Sequence, residues 1–76
     1  MKLVIIKPQE STTFDGVNKV TIPGSEGSFT ILGGHAPLVS AVKKGVIRFD
    51  KQEIAIGGGV LDVKNDVVTI LTDQSV

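Results

Sequence analysis

The chain has 76 residues, enough for one small domain, which we place over residues 1–76. A chain of this size buries only about 60% of the surface that it exposes when unfolded, so such domains often depend on a partner. Cysteine is absent, which excludes disulfides and cysteine-based zinc sites, and a single histidine makes any other metal site unexpected. Eight basic and eight acidic residues cancel, and tyrosine and tryptophan are absent, so we do not expect nucleic-acid binding.

The sequence gives no sign of insertion into a membrane or of export. No stretch approaches the roughly 20 apolar residues that a membrane-spanning helix needs. The N-terminal apolar run, residues 3–6, is too short for the core of a signal peptide, and no cleavage-like segment follows it.

The hydrophobic pattern predicts short strands along the chain. Strands are expected at residues 2–7, 18–22, 38–42, 46–49, 53–56, 60–64 and 67–71. Residues 11–16 are expected to form a turn that ends at a permissive glycine, and Asn65 and Asp66 suit a tight hairpin. No segment shows a sustained helical period. The sequence therefore predicts an all-β fold, a small β-sandwich or flattened barrel of short antiparallel strands.

Two of the predicted strands do not alternate between apolar and polar residues. Residues 3–6 and 67–71 are apolar at nearly every position, although successive strand residues point to opposite faces of a sheet. A two-layer sandwich covers only one of those faces. The other face must therefore be covered by a loop of the same chain or meet another protein.

Residues 24–38 contain four of the nine glycines, the single histidine and one of the three prolines. The glycines permit positive φ, so we expect tight turns in a shaped loop. Phe29, Ile31 and Leu32 are expected to attach this loop to the core. Pro37 favours an extended backbone at the preceding residue and leads the chain into the next strand.

No constellation for catalysis or phosphate binding is evident. His35 and Ser40 lie close in the sequence, but there is no nucleophile elbow, and a lone histidine in a glycine turn is more often a hydrogen-bonding or contact residue. The glycines at residues 57–59 match neither phosphate-binding fingerprint and are expected instead to break the strand or force a bulge. We expect no catalytic residue, no cofactor, no metal and no small-molecule substrate.

One alternative function comes from the turn at Asp50 and Lys51. Lipoyl and biotinyl carrier domains are all-β, of similar length, and present a modified lysine at a hairpin tip. An Asp-Lys pair is also a common turn dipeptide, and this reading leaves the sequence of residues 34–38 unexplained. A carrier domain modified at Lys51 remains the alternative.

Four segments, in order, carry a resemblance to a known family. They are Phe14-Asp15-Gly16, Pro23-Gly24-Ser25-Glu26-Gly27, Gly34-His35-Ala36-Pro37-Leu38 and Gly58-Gly59-Val60-Leu61-Asp62-Val63. Together they resemble the epsilon subunit of the F-type ATP synthase over nearly the whole chain. The resemblance implies a non-catalytic subunit of the rotating central stalk. Such a subunit fastens the gamma subunit to the membrane c-ring, so that ion-driven rotation reaches the catalytic alpha/beta hexamer.

The resemblance also assigns contact residues by position. The residues that match the side facing gamma are His35, Ala36, Pro37, Leu38 and Ser40. The residues that match the turn facing the c-ring are Glu26, Gly27 and Ser28. Many relatives have an acidic residue where this chain has Ser28, and Thr30 and Gly33 replace a frequent glycine and a frequent proline.

Most relatives continue into a C-terminal helical hairpin that restrains ATP hydrolysis and in some cases binds ATP. Here residues 72–76 come directly after the last predicted strand, as in a naturally short protein or a chain cut at the domain boundary. The resemblance then implies a form that couples rotation but neither inhibits hydrolysis nor binds nucleotide. It implies a peripheral position on the cytoplasmic face of a bacterial inner membrane, reached only through the complex.

Overall fold

The computed structural model describes residues 1–73, and within that range every regular element is a strand. The nine strands are β1 (Lys2–Ile6), β2 (Ser11–Phe14), β3 (Lys19–Gly24), β4 (Gly27–Leu32), β5 (Leu38–Val42), β6 (Gly45–Phe49), β7 (Gln52–Ile56), β8 (Gly59–Lys64) and β9 (Val67–Thr72). The all-β prediction is therefore confirmed.

The strands form one continuous sheet that curls over itself. Its order is β2-β1-β9-β8-β5-β3-β6-β7, with β4 paired to the side of β3. The connection in the middle is narrow, because β5 and β3 pair only through Gly24 and Val42. This narrow connection lets the β2-β1-β9-β8-β5 half fold across the β4-β3-β6-β7 half, which gives the flattened barrel that the sequence predicted.

Both halves contribute apolar side chains to a single core. Alternation along β1, β8 and β9 buries one side of the first half, and alternation along β3 and β6 buries one side of the second. Full burial of such side chains is worth about 1.5–3 kcal/mol each, so the shared core is the main source of stability. Its members are Leu3, Ile5, Val17, Val20, Ile22, Ile31, Val42, Ile47, Phe49, Ile56, Leu61, Val63, Val68 and Ile70.

An aromatic pair joins the edge strand β2 of the first half to β6 of the second half. The rings of Phe14 on β2 and Phe49 on β6 have centroids 4.7 Å apart and are tilted by 52°. Tilted ring pairs at this distance add attraction beyond the area that they bury. The pair therefore helps to hold the first half of the sheet against the second.

The structure corrects three details of the sequence prediction. Residues 11–14, predicted as part of a turn, form β2, because the threonines suit an edge strand that pairs with β1. Residues 27–32, predicted as loop, form β4, because the tight turn at Ser25 and Glu26 returns the chain along β3. Finally, β1 and β9 pair in parallel, whereas the prediction was of antiparallel strands throughout; β9 pairs with its other neighbour, β8, in the antiparallel direction.

The expected attachment of residues 24–38 to the core is correct in part. Ile31 is fully buried, and Phe29 packs against the core while partly exposed. Leu32, in contrast, is 58% exposed, because it follows Ile31 on a strand and so points to the opposite face. The prediction for Leu32 was wrong.

Of the two outcomes expected for the glycines at residues 57–59, a break or a bulge, the structure shows the break: β7 ends at Ile56 and β8 begins at Gly59. Gly58 and Gly59 both have positive φ, at 104° and 156°. A Cβ atom on Gly59 would collide with the backbone carbonyl oxygen of Leu71 on the neighbouring strand. Only glycine therefore allows β8 to begin pairing with β9 at this position.

Replacing Gly59 by alanine should therefore destabilise the domain strongly. We expect the free energy of unfolding to fall by about 3 kcal/mol or more, because the added methyl meets backbone that cannot move without breaking the ladder. Gly16→Ala is the matched control: its φ is 67°, but its Cβ would meet nothing within 4 Å. That variant should lose only about 1–2 kcal/mol, the cost of the left-handed backbone. Equal losses in urea unfolding of the two variants would contradict this explanation.

Candidate functional site

The segment from Gly33 to Pro37 forms an exposed turn between β4 and β5. The backbone N–H of His35 donates to the carbonyl oxygen of Leu32 at 3.2 Å, and Gly34 has a φ of 78°. His35, Ala36 and Pro37 are exposed, whereas Leu38 is partly buried at the start of β5 and packs against the core. The turn is thus a fixed protrusion whose outer atoms are accessible to a partner.

The imidazole of His35 is held against its own loop. Its Nδ1 lies 2.6 Å from the carbonyl oxygen of Ala36. Because a carbonyl can only accept, Nδ1 must carry the proton, and Nε2 is left as the nitrogen that a partner could reach. Ser40 makes a separate bond, from its Oγ to the carbonyl oxygen of Ala41 at 3.1 Å. The structure gives His35 and Ser40 separate hydrogen bonds and so provides no Ser-His pair for catalysis.

The turn between β3 and β4 shares a shallow hollow with β5. The hollow has a volume of about 340 Å³ and is lined by Gly24, Ser25, Glu26, Gly27, Ser28, Phe29 and Ser40. The residues that the resemblance assigns to the c-ring therefore lie beside Ser40, which it assigns to gamma. Ser40 is thus the point at which the two predicted contact sets meet. The His35 turn comes immediately before β5 in the chain and is not part of this hollow.

The outer face of the first half carries an exposed apolar surface, which we call the outer apolar face and define as Val4, Ile6, Val39, Ala41, Val60 and Leu71. The register explains the continuity of one row: Ala41 pairs with Val60, Val60 with Leu71, and Leu71 with Ile6. In the next row the partly buried Asp62 and Thr69 lie between Val39 and Val4, so Val39 joins the apolar row through Ala41 and Val60. Paired residues point to the same side of a sheet. Val39 is 72% exposed, Leu71 47% and Val60 45%, which is unusual for large apolar side chains in one group.

This face answers the question that the non-alternating strands raised. Within residues 1–73, Leu71 on β9 stays 47% exposed on its outward side, and β1 contributes Val4 and Ile6, which are only partly buried. The sequence identified β1 and β9 as apolar on both sides, but it missed Val39 and Val60. Val39 follows Leu38 and Val60 precedes Leu61, and only the register shows that these two valines lie on the same surface.

A second hollow adjoins the outer apolar face. It has a volume of about 520 Å³ and is lined by Ile6, Lys7, Pro8, Gly57, Gly58, Gly59, Leu71, Thr72 and Asp73. Ile6 and Leu71 belong to both surfaces. The outer apolar face therefore borders the glycine connection between β7 and β8 near the end of β9.

Lys51 lies at the tip of the β6–β7 hairpin and is exposed, as a modified lysine would need to be. The adjacent Asp50 has another role: its carboxylate accepts from the backbone N–H groups of Asn18 and Lys19, at 3.1 and 3.3 Å. Asp50 also has a φ of 54°, which aspartate tolerates better than most residues. The Asp-Lys pair thus has a structural explanation that does not require modification.

Within residues 1–73, no group of three or more His, Cys, Asp or Glu side chains is placed to hold a metal ion. The same residues include no helix that is long and apolar enough to cross a membrane. Three exposed surfaces are the candidates for contact with another protein: the His35 turn, the hollow at Glu26 and Ser40, and the outer apolar face.

Comparison with known sequences gives a consistent result. The family described as "ATP synthase, Delta/Epsilon chain, beta-sandwich domain" matches residues 1–76. The ATP synthase epsilon chain of Magnetococcus marinus is 37% identical over 78 residues, which cover 97% of this chain and 57% of that protein. The ATP synthase epsilon chain of Leptospira borgpetersenii serovar Hardjo-bovis is 39% identical over 78 residues, covering 97% of this chain and 61% of that protein. The chain thus spans little more than half the length of these relatives.

Solved structures share the fold. A chain of the Tetrahymena thermophila mitochondrial ATP synthase, in a structure of its central stalk and c-ring, superposes with a TM-score of 0.84 at 16% identity, covering 99% of this chain and 64% of that chain. A chain of the Euglena gracilis mitochondrial ATP synthase, in a structure of OSCP, F1 and the c-ring, also has a TM-score of 0.84, at 26% identity, covering 97% of this chain and 51% of that chain.

Proposed function

Since the chain belongs to the beta-sandwich domain family of ATP synthase delta and epsilon chains, we propose that it fastens the gamma subunit to the c-ring in the central stalk of an F-type ATP synthase. The observation that carries this proposal is the family match along residues 1–76. The domain performs no chemistry of its own. It transmits torque, and a packed β-sheet body suits that task because it deforms little under load.

The gamma subunit binds at the His35 turn, and the surface extends from there onto the outer apolar face. The positions of the β5 residues support this extension. Val39 directly follows Leu38, and Ala41, two residues further along the same side of β5, pairs with Val60 on β8. Leu38 points inward to the core, so Val39 and Ala41 are the residues of β5 that offer apolar contact. Apolar area at the centre of an interface supplies most of its driving force.

The c-ring contacts the β3–β4 turn at Glu26, Gly27 and Ser28. All three residues are exposed, and Gly27 has a φ of 128°, which fixes the shape of the turn. Because this chain has Ser28 where many relatives have an acidic residue, Glu26 is the carboxylate of the turn. Any charge attraction to basic groups of the ring therefore rests on Glu26.

The complex holds the domain at the cytoplasmic face of the bacterial inner membrane, where it lies peripherally. We assign to residues 1–76 the contacts that couple rotation. In relatives, the helical hairpin inhibits ATP hydrolysis and in some cases binds nucleotide. We do not assign either role to residues 1–76. Detectable ATP binding by residues 1–76 would contradict that division of roles.

A carboxylate placed on the proposed gamma surface should weaken binding without unfolding the domain. We expect His35→Glu and Val39→Glu each to lower the affinity for gamma about tenfold or more, because an unpaired charge would be buried in the interface. Both side chains are exposed, so the free domain should keep its stability. Co-purification from native membranes and titration with isolated gamma measure the effect.

Gln52→Glu is the matched control for these two variants, since Gln52 is exposed on β7, in the other half of the sheet. It adds the same charge away from the proposed surface and should bind gamma normally. Stoichiometric recovery of gamma with His35→Glu and Val39→Glu would disprove the proposed gamma surface.

Reversing the charge of the β3–β4 turn should weaken retention of the c-ring. Glu26→Lys should lower retention at low salt and remove most of its salt dependence, since exposed charges attract less as salt rises. Asp15→Lys changes the net charge by the same amount at an exposed position after β2, and it should behave as wild type. If the two variants lose the ring to the same extent, net charge and not the turn is responsible.

The carrier alternative predicts a covalent adduct, whereas the proposed function predicts none. The family match leaves that alternative without support, and Asp50 has a structural role beside Lys51. Protein purified from its source should have the intact mass of the unmodified chain, and so should a Lys51→Arg variant once the substitution is subtracted. A lipoyl or biotinyl increment that disappears in Lys51→Arg would restore the carrier alternative.

A further inference from the structure

The β8–β9 hairpin turn contacts the His35 turn through a single side chain. The Oδ1 atom of Asp66 accepts a hydrogen bond from the backbone N–H of Gly34 at 3.1 Å. The two residues are 32 apart in the sequence, and Gly34 immediately precedes His35. Gly33 lies against the same carboxylate, since a Cβ at that position would come within 3.8 Å of Oδ1.

The other side of Asp66 faces the start of the chain. Its Oδ2 lies 3.7 Å from the α-ammonium group of Met1, which also donates to the carbonyl oxygen of Val17 at 2.9 Å. The carbonyl oxygen of Asp66 accepts from the backbone N–H of Lys2 at 3.1 Å. One residue thus links the first strand, the β8–β9 turn and the His35 turn.

The backbone of Asp66 is in a conformation that glycine adopts more easily. Asn65 and Asp66 connect β8 to β9 in two residues and have φ values of 53° and 62°. Two-residue turns with positive φ at both positions favour Asn-Gly. Asp66 therefore occupies the second position of the turn, where the backbone favours glycine. The turn itself does not require a carboxylate there, so we look to the contacts that the carboxylate makes.

We propose that Asp66 is a positioning residue that fixes the His35 turn in the shape that gamma binds. This inference rests on the proposed function, because it concerns the surface assigned there to gamma. A hydrogen bond to the Gly34 amide limits the rotation of the backbone before His35. The turn then meets its partner already ordered, which lowers the entropy lost on binding.

Two substitutions at this one position separate positioning from stability. Asp66→Gly removes the acceptor but suits the turn, so the melting temperature should be retained. Asp66→Asn keeps an Oδ1 acceptor for Gly34 and tolerates positive φ. Both substitutions remove the negative charge that faces the Met1 ammonium group, so a difference between them reports on the bond to Gly34.

The first measurement is amide hydrogen exchange of Gly34 and His35 in the free domain. We expect exchange of the Gly34 amide to be about tenfold faster in Asp66→Gly, the size expected for loss of one hydrogen bond to a carboxylate, and near wild type in Asp66→Asn. Equal exchange rates in the two variants would overturn the inference.

The second measurement is the affinity for isolated gamma. Asp66→Gly should bind several-fold more weakly, and Asp66→Asn should restore most of the affinity. If the exchange rates of the two variants differ as expected but their affinities for gamma are equal, Asp66 orders the turn without affecting gamma binding. That result would overturn the inference that the ordered turn serves gamma. If His35→Glu also bound gamma normally, the proposed gamma surface itself would be wrong.

Discussion

The sheet depends on the narrow connection between its two halves. Only Gly24 and Val42 pair β3 with β5, so the sheet bends sharply there, and the two alternating inner faces come together around one core. A Cβ on Gly24 would lie 2.7 Å from the ring of Phe29 and 2.8 Å from the carbonyl oxygen of Gly27, so the β3–β4 hairpin leaves no room for a side chain at this position. The same bend leaves the outward sides of β5, β8, β9 and β1 joined as one surface.

Two physically different surfaces result from this arrangement. The outer apolar face is broad and lies on paired strands, so its shape is set by the backbone ladder. The His35 turn is a short protrusion whose shape is set by a few hydrogen bonds, among them those of Leu32 and Asp66. A partner that contacts both gains driving force from the first and orientation from the second.

Much of the fold could be predicted because alternation is a local property. Ile47 and Phe49 alternate with Val46 and Arg48 in the strand predicted at residues 46–49 and are both buried, and Asn65 and Asp66 form the expected tight turn. The strand at residues 27–32 was missed, because its glycines indicated turns and its partner strand could not be seen in the local pattern. The contact surfaces were predicted only as far as single segments allow: the link from Asp66 to Gly34 and the continuity from Val39 to Leu71 depend on strand register.

The parallel pairing of the first and last strands has a consequence for how the domain is made. Lys2 on β1 pairs with Val67 on β9, so the β1–β9 ladder cannot form until residues 67–71 have been synthesised. Contacts between such distant residues close large loops and slow folding. On the ribosome, β1 therefore waits with one edge unpaired until β9 emerges, and a chaperone or a premature neighbour can bind that edge during the interval.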